Sequence, residues 1–167
     1  ELRALIEKKK TPLLVEERIF GRELTLPLFG DPPELLPVIE ICPKREFFDF
    51  DAKYTKGLTE YICPAEITPQ VMDLLRLYSA RISRQLQIRH MCRIDLMMAP
   101  RRAGKSADVA LPGMSNFQQA DVDLYFLEVN TIPGLTETSL LPMSARASGI
   151  DFSTLIHRLI RMAAGNS

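Results

Sequence analysis

The chain of 167 residues is long enough for one domain with a substantial core, or for a piece of a larger protein. Its 21 Lys and Arg residues balance 21 Asp and Glu, so bulk charge gives no basis for binding nucleic acid or an anionic membrane. No apolar run is long enough to cross a bilayer as a helix and the first residues lack the order of a signal peptide, which leaves a cytoplasmic protein that handles small molecules or binds other proteins as the expectation.

Residues 1–9 have helical apolar spacing (Leu2, Leu5, Ile6) and run directly into an apolar strand over 12–19. A second strand-like run, Glu23 to Leu28, follows Gly21, so the pair is expected to form a hairpin. Gly30-Asp-Pro-Pro is a turn, and Leu36 to Cys42 reads as a strand. Phe47 to Gly57 mixes aromatic and charged residues and reads as a lid-like loop. Thr68-Pro69 opens a helix whose core stripe is Val71, Leu74, Leu75, Tyr78, Ile82 and Leu86. Cys92 to Ala99 is a strand, and residues 100–123 are an insertion whose Gly104-Lys-Ser lacks the remainder of a phosphate loop. A buried strand from Leu124 to Asn130 then enters the Pro133-Gly134 turn. A short helix is expected over 139–148, Gly149 breaks the chain, and Phe152, Leu155, Ile156, Leu159 and Ile160 mark a final helix. Cys42, Cys63 and Cys92 are odd in number and widely spaced, which suits reduced core residues better than disulfides or a zinc site.

Two of these strands carry chemistry. Alternation places Leu124, Phe126, Glu128 and Asn130 on one face and Tyr125, Leu127 and Val129 on the other. The same rule puts Arg93, Asp95 and Met97 together. A single acid at a strand end is ordinarily a solvated terminus. Two carboxylates and an amide oxygen on two core strands, one beside an arginine, instead suit Mg2+ and phosphate.

The stretch Glu128-Val-Asn130-Thr-Ile-Pro-Gly134-Leu-Thr-Glu-Thr-Ser139-Leu140, with Arg93-Ile-Asp95 upstream, resembles the carboxyl-terminal signature of the D-alanine:D-alanine ligases of the ATP-grasp superfamily. Asp49-Phe-Asp-Ala-Lys53-Tyr54 and Tyr61-Ile-Cys-Pro-Ala65 match further blocks in the expected order, so the likeness runs from about Leu14 to the last helix. It implies an α+β fold, the ATP-grasp carboxyl-terminal domain, with a mostly antiparallel sheet and helices packed on one side. Residues 1–30 would end the central subdomain on its adenosine side and 31–167 would form the catalytic domain. The glycine-rich loop and amino-terminal domain of such ligases are not in this sequence, so it is expected to be part of a longer enzyme and inactive alone.

The resemblance also implies roles. Glu16, the Ile19 backbone and Glu23 would take the adenosine, with Met97 under the adenine ring; Lys53 would reach the terminal phosphate of ATP and Tyr54 would close the acceptor side. Asp95, Glu128 and Asn130 would hold two Mg2+ ions, with Mn2+ as an alternative. Arg93 and the Gly134 N–H would stabilise the oxyanion, and Ser139 and the Leu140 backbone would hold the second D-alanine, for which the Lys53-Tyr54 pair argues. The full-length protein could be a homodimer. Two other readings stay open: another ATP-grasp carboxylate-amine ligase, and a non-catalytic domain that binds nucleotide or a partner.

Overall fold

The computed structural model describes residues 14–43, 59–102 and 121–165. These form a six-stranded antiparallel sheet built from β1 (Arg22–Gly30), β2 (Pro33–Leu35), β3 (Ile39–Pro43), β4 (Thr59–Ile62), β5 (His90–Pro100) and β6 (Val122–Asn130). The order is β4-β3-β1-β5-β6, with β2 paired to the end of β1. β1 lies at the centre and pairs with β5 along its whole length, from Arg22 opposite Met98 to Gly30 opposite His90. The expected domain boundary at residue 30 therefore falls at the end of the central strand.

Three features differ from expectation. Residues 14–20 form no strand, so there is no hairpin with β1; that strand finds its partner about 70 residues away instead. Helices cover both faces of the sheet, not one. The even-numbered residues of β1 (Leu24, Leu26, Leu28) and the matching Ile94 and Leu96 of β5 pack with Val71, Leu74 and Leu75 of α1 (Pro69–Gln85). On the opposite face, Phe29 and Met91 pack with Leu141 and Ala145 of α2 (Leu140–Ala147) and Leu155 of α3 (Phe152–Ala163). The third difference is in β6. Asp95 faces Glu128 but Leu96 faces Phe126, so Leu127 is an extra residue, a β-bulge. The bulge reverses alternation midway: Leu124 packs against the α1 core and Phe126 meets the Tyr78 ring edge-on at 5.7 Å, while Glu128 and Asn130 point to the other face. Val129 then returns to the α1 side.

The helices start and stop for local reasons. Thr68 is extended and Pro69 supplies the preset first turn of α1; its end is fixed by Gln87 at φ 53°, after which the Ile88 N–H donates to the Ser83 carbonyl. α2 ends at Gly149, φ 86°. α3 is capped by Asp151, whose carboxylate accepts from the Thr154 N–H at 2.9 Å and hydroxyl at 2.7 Å. The Ser144 hydroxyl of α2 donates to the Pro37 carbonyl at 2.6 Å, which ties that helix to the turn before β3.

Each fully buried Leu or Ile of the α1 core contributes about 1.5–3 kcal/mol. Among the described glycines the closest backbone approach is at Gly21, where a Cβ would fall on the Met98 carbonyl oxygen. Gly21→Ala should lower stability by about 1–3 kcal/mol, read as a lower urea midpoint with an unchanged m-value. Cys92 is fully buried and its thiol is pushed up to about 11 by burial, so it should resist alkylation at pH 8 until the protein unfolds; peptide mapping of the modified protein checks this.

Candidate functional site

The α2–α3 pair covers only the Phe29 and Met91 end of its face, and the rest of that face carries the polar residues. Along it, β1 supplies Glu23 and Thr25, β5 supplies Arg93, Asp95 and Met97, and β6 supplies Tyr125, Glu128 and Asn130. Cross-strand pairs bring them together: Thr25 with Asp95, Asp95 with Glu128, Arg93 with Asn130, and Glu23 with Met97.

Asp95 is the centre. It is only 8% exposed, a costly place for a carboxylate unless its oxygens are occupied. Arg93 grips it with two hydrogen bonds, Nε to Oδ1 at 3.0 Å and NH2 to Oδ2 at 2.9 Å, and the fully buried Thr25 hydroxyl donates to Oδ1 at 2.5 Å. The hydrogen bonds to Asp95 hold the Arg93 guanidinium even further above its ordinary pKa; burial opposes this, and the charges of Asp95, Glu128 and Tyr61 assist. Tyr61 of β4 stands on the same face across Ile41 and Glu23; burial raises its pKa, Glu23 raises it further, and Arg93 pulls it down. Neither Thr25 nor Tyr61 stands out as a site residue in the sequence. The signal for Thr25 is that it is the polar residue of the apolar Leu24-Thr-Leu26 run, on the side of Glu23.

Among the described residues no three His, Cys, Asp or Glu side chains form a metal-binding group. The oxygen set of Asp95, Glu128 and Asn130 therefore needs the amide. Asn130 sits directly beside this pair, with its Oδ1 accepting from the Ile132 N–H at 3.0 Å. Glu128 is exposed and each carboxylate oxygen has two lone pairs, so two hard anionic donors and one neutral one remain within a single patch, the chemistry that suits Mg2+.

Next to this patch a cavity of about 440 Å3 is lined by Ile19, Phe20 and Gly21, by Glu23, and by Met97 and Ile41. Three of the four described residues expected to take adenosine thus share one groove. The fourth, Glu16, lies exposed on the same segment before β1. Arg22 and Glu40 also border the groove, but alternation turns their side chains to the α1 face, where Arg22 donates from Nε at 2.8 Å and from NH2 at 2.5 Å to the Glu40 carboxylate, and also to the Glu66 carbonyl.

On the other side of the patch, the Pro133-Gly134 turn leads to α2. A Cβ on Gly134 would come 2.9 Å from the Ser139 Oγ, so the expected oxyanion donor and the expected substrate-binding residue lie close together. The Ser139 hydroxyl does not cap α2 but accepts from the Thr136 N–H at 3.1 Å and meets the Thr136 hydroxyl at 2.7 Å. Leu140 is the first residue of α2. Lys53 and Tyr54 lie outside the described residues.

The family model for the D-ala D-ala ligase C-terminus matches residues 2–120 and 111–161. The D-alanine–D-alanine ligase of Fervidobacterium nodosum is 36% identical over 158 residues, covering 93% of this chain and 43% of that protein. The crystal structure of D-alanine–D-alanine ligase from Bacillus anthracis complexed with ATP is similar at a TM-score of 0.60 and 30% identity, over 87% of this chain and 40% of that one. A D-Ala:D-Ser ligase structure from Enterococcus faecalis is similar at a TM-score of 0.60 and 27% identity, over 86% of this chain and 36% of that one. The chain spans about four-tenths of the length of the curated relatives it matches.

The Arg22 hydrogen bond is the main cause that lowers the Glu40 carboxyl below its ordinary value of 4.5, against burial. A depressed folded-state value adds stability that is present above the unfolded value and lost as pH falls through the folded one. Glu40→Gln should therefore be less stable than the unaltered protein at pH 7, with the gap closing in the acid range below about pH 4.5, as thermal melts across pH would record.

Proposed function

This chain belongs to the D-Ala–D-Ala ligase carboxyl-terminal family, and from that premise we propose that it supplies the catalytic part of an ATP-dependent ligase. The ligase joins two D-alanines through an acyl phosphate, a step towards peptidoglycan precursors in the cytoplasm. The observation that carries this reading is the continuity of three surfaces on one sheet face: the groove at Ile19, Glu23 and Met97, the charged patch at Arg93, Asp95 and Glu128, and the turn that joins Gly134 to Ser139.

In this reading the carboxylate of the first D-alanine attacks the terminal phosphate of ATP, which leaves ADP and an acyl phosphate. The amine of the second D-alanine then attacks the acyl carbon, and phosphate departs from the tetrahedral intermediate. Glu23 accepts from the ribose hydroxyls, the Ile19 backbone pairs with the adenine edge, Glu16 accepts from its amino group, and Met97 packs under the ring. Asp95, Glu128 and Asn130 would hold Mg2+, two ions by family resemblance, and the metal would offset negative charge on the phosphate oxygens. Arg93 is pre-aimed by Asp95, so its remaining N–H groups meet the developing oxyanion without reorganising; the Gly134 N–H does the same from the turn, where the missing Cβ leaves room. Ser139 and the Leu140 N–H take the carboxylate of the second D-alanine at the start of α2, where the helix end favours an anion. By resemblance Lys53 serves the terminal phosphate and Tyr54 the acceptor side.

The test is to extend the chain upstream to the length of its relatives and incubate it with ATP, Mg2+ and D-alanine, with D-serine as a competitor. Mass spectrometry should find D-alanyl-D-alanine as the main product. Glu128→Gln should lower kcat by at least about a hundredfold with the fold kept, because the side chain is exposed. No dipeptide from a folded, extended protein would sink the assignment, and a D-alanyl-D-serine product would move its second substrate.

A further inference from the structure

Residues 14–20 carry Glu16 and Ile19 but belong to no strand, so side-chain contacts must help to hold them over the groove. One such contact joins them to the end of β5, the neighbour of β1 in the sheet: Arg102 NH2 donates to Glu17 Oε1 at 2.5 Å. Glu17 is not itself a groove residue, and Arg102 stands at the base of the 100–123 insertion, which the ligase chemistry leaves without a role.

Arg102 has a firm base. The Arg101 N–H donates to the Asp121 carbonyl at 3.0 Å and the Arg102 N–H to Asp123 Oδ2 at 3.2 Å, so the β5–β6 pairing continues to the foot of the insertion. Its guanidinium lies 5.9 Å from the centre of the Tyr125 ring. Tyr125 is the cross-strand partner of Met97, and Met97 lines the groove together with Ile19 and Phe20. Arg102 thus touches both the segment that carries Ile19, through Glu17, and the strand beside Met97, through Tyr125.

We propose that Arg102 is a positioning residue for the nucleotide: it latches the 14–20 segment over the adenosine end of the groove through Glu17. This rests on the nucleotide reading of that groove. The latch raises the fraction of molecules in which Ile19 and Glu16 are already in place, so it acts on apparent affinity for ATP and not on the chemical step. Both partners are substantially exposed, at 43% for Arg102 and 65% for Glu17, so water and salt screen the pair. Loss of the pair should raise the KM for ATP by about two- to fivefold, an effect that shrinks at high salt.

The experiment uses the protein extended to family length, with steady-state kinetics for ATP and D-alanine and direct binding of a non-hydrolysable ATP analogue. Arg102→Glu and Glu17→Arg should each raise the KM for ATP and weaken analogue binding while kcat and the KM for D-alanine stay put. Combining the two should restore affinity, because the pair is rebuilt with its charges exchanged. Arg76→Glu breaks a similarly exposed ion pair on α1 and should leave the KM for ATP unchanged. If the unaltered protein binds no analogue, the nucleotide reading fails and the latch with it. If it binds normally and either charge reversal leaves the KM untouched, or the combination is worse than both, the latch alone is overturned.

Discussion

A carboxylate on the middle of a β-sheet, nearly sealed from water, is the constraint from which the rest of this structure follows. Asp95 is accommodated there because Arg93 on its own strand and Thr25 on β1 occupy its oxygens. Those bonds need β1 and β5 in one particular register, since a slip of a single residue would turn Thr25 to the helix face and put Leu24 or Leu26 against the carboxylate. The apolar side demands the same register, because Leu24, Leu26 and Leu28 must meet α1. Polar and apolar requirements thus agree, and the agreement makes Arg93 a rigid donor.

The site is divided between groups on strands and groups on connections. Arg93, Asp95 and Glu128 stand on strands and are held by ladder pairing on at least one side. Ile19 stands on the segment before β1, and Gly134 with Ser139 on the turn before α2. Ser144 anchors that second connection from behind through the Pro37 carbonyl, so the start of α2 is referenced to the sheet. In the proposed ligase reading this division holds Arg93 and the acids in place while two small amino acids are exchanged past the connections.

Much of this arrangement is legible in the amino-acid order. Strong periodicity marks β5, α1, α2 and α3, and unbroken alternation along β5 puts Arg93, Asp95 and Met97 together. The parts that are not legible have physical causes. The apolar run over 12–19 suggests a hairpin, but β1 gains more by pairing with β5 along nine residues than with a neighbour, and local signals carry no word of a partner that distant. Thr25 is silent because its role exists only opposite Asp95. The reversal within β6 is hidden for a similar reason: Phe126-Leu127-Glu128 obeys alternation on paper, and only the Asp95 and Leu96 pairings reveal the extra residue. Glu17 reads in isolation as a solvated acid, yet it meets Arg102 across 85 positions of chain.

The bulge at Leu127 also determines how β6 tolerates changes in length. A regular strand cannot lose a residue without turning one of its ends over, because every side chain beyond the deletion changes face. Here the surplus residue acts as slack. Removing Leu127 would leave Phe126 opposite Leu96 and Glu128 opposite Asp95 in an unbroken ladder, with each remaining side chain on the face it now occupies. What would go is the local bend and extra twist that a bulge imposes, so the strand would straighten where it carries its acid. A residue added between Phe126 and Glu128 has no such escape, since the ladder already holds one more than it can pair. Length variation among descendants of this strand should therefore run one way at position 127, towards loss.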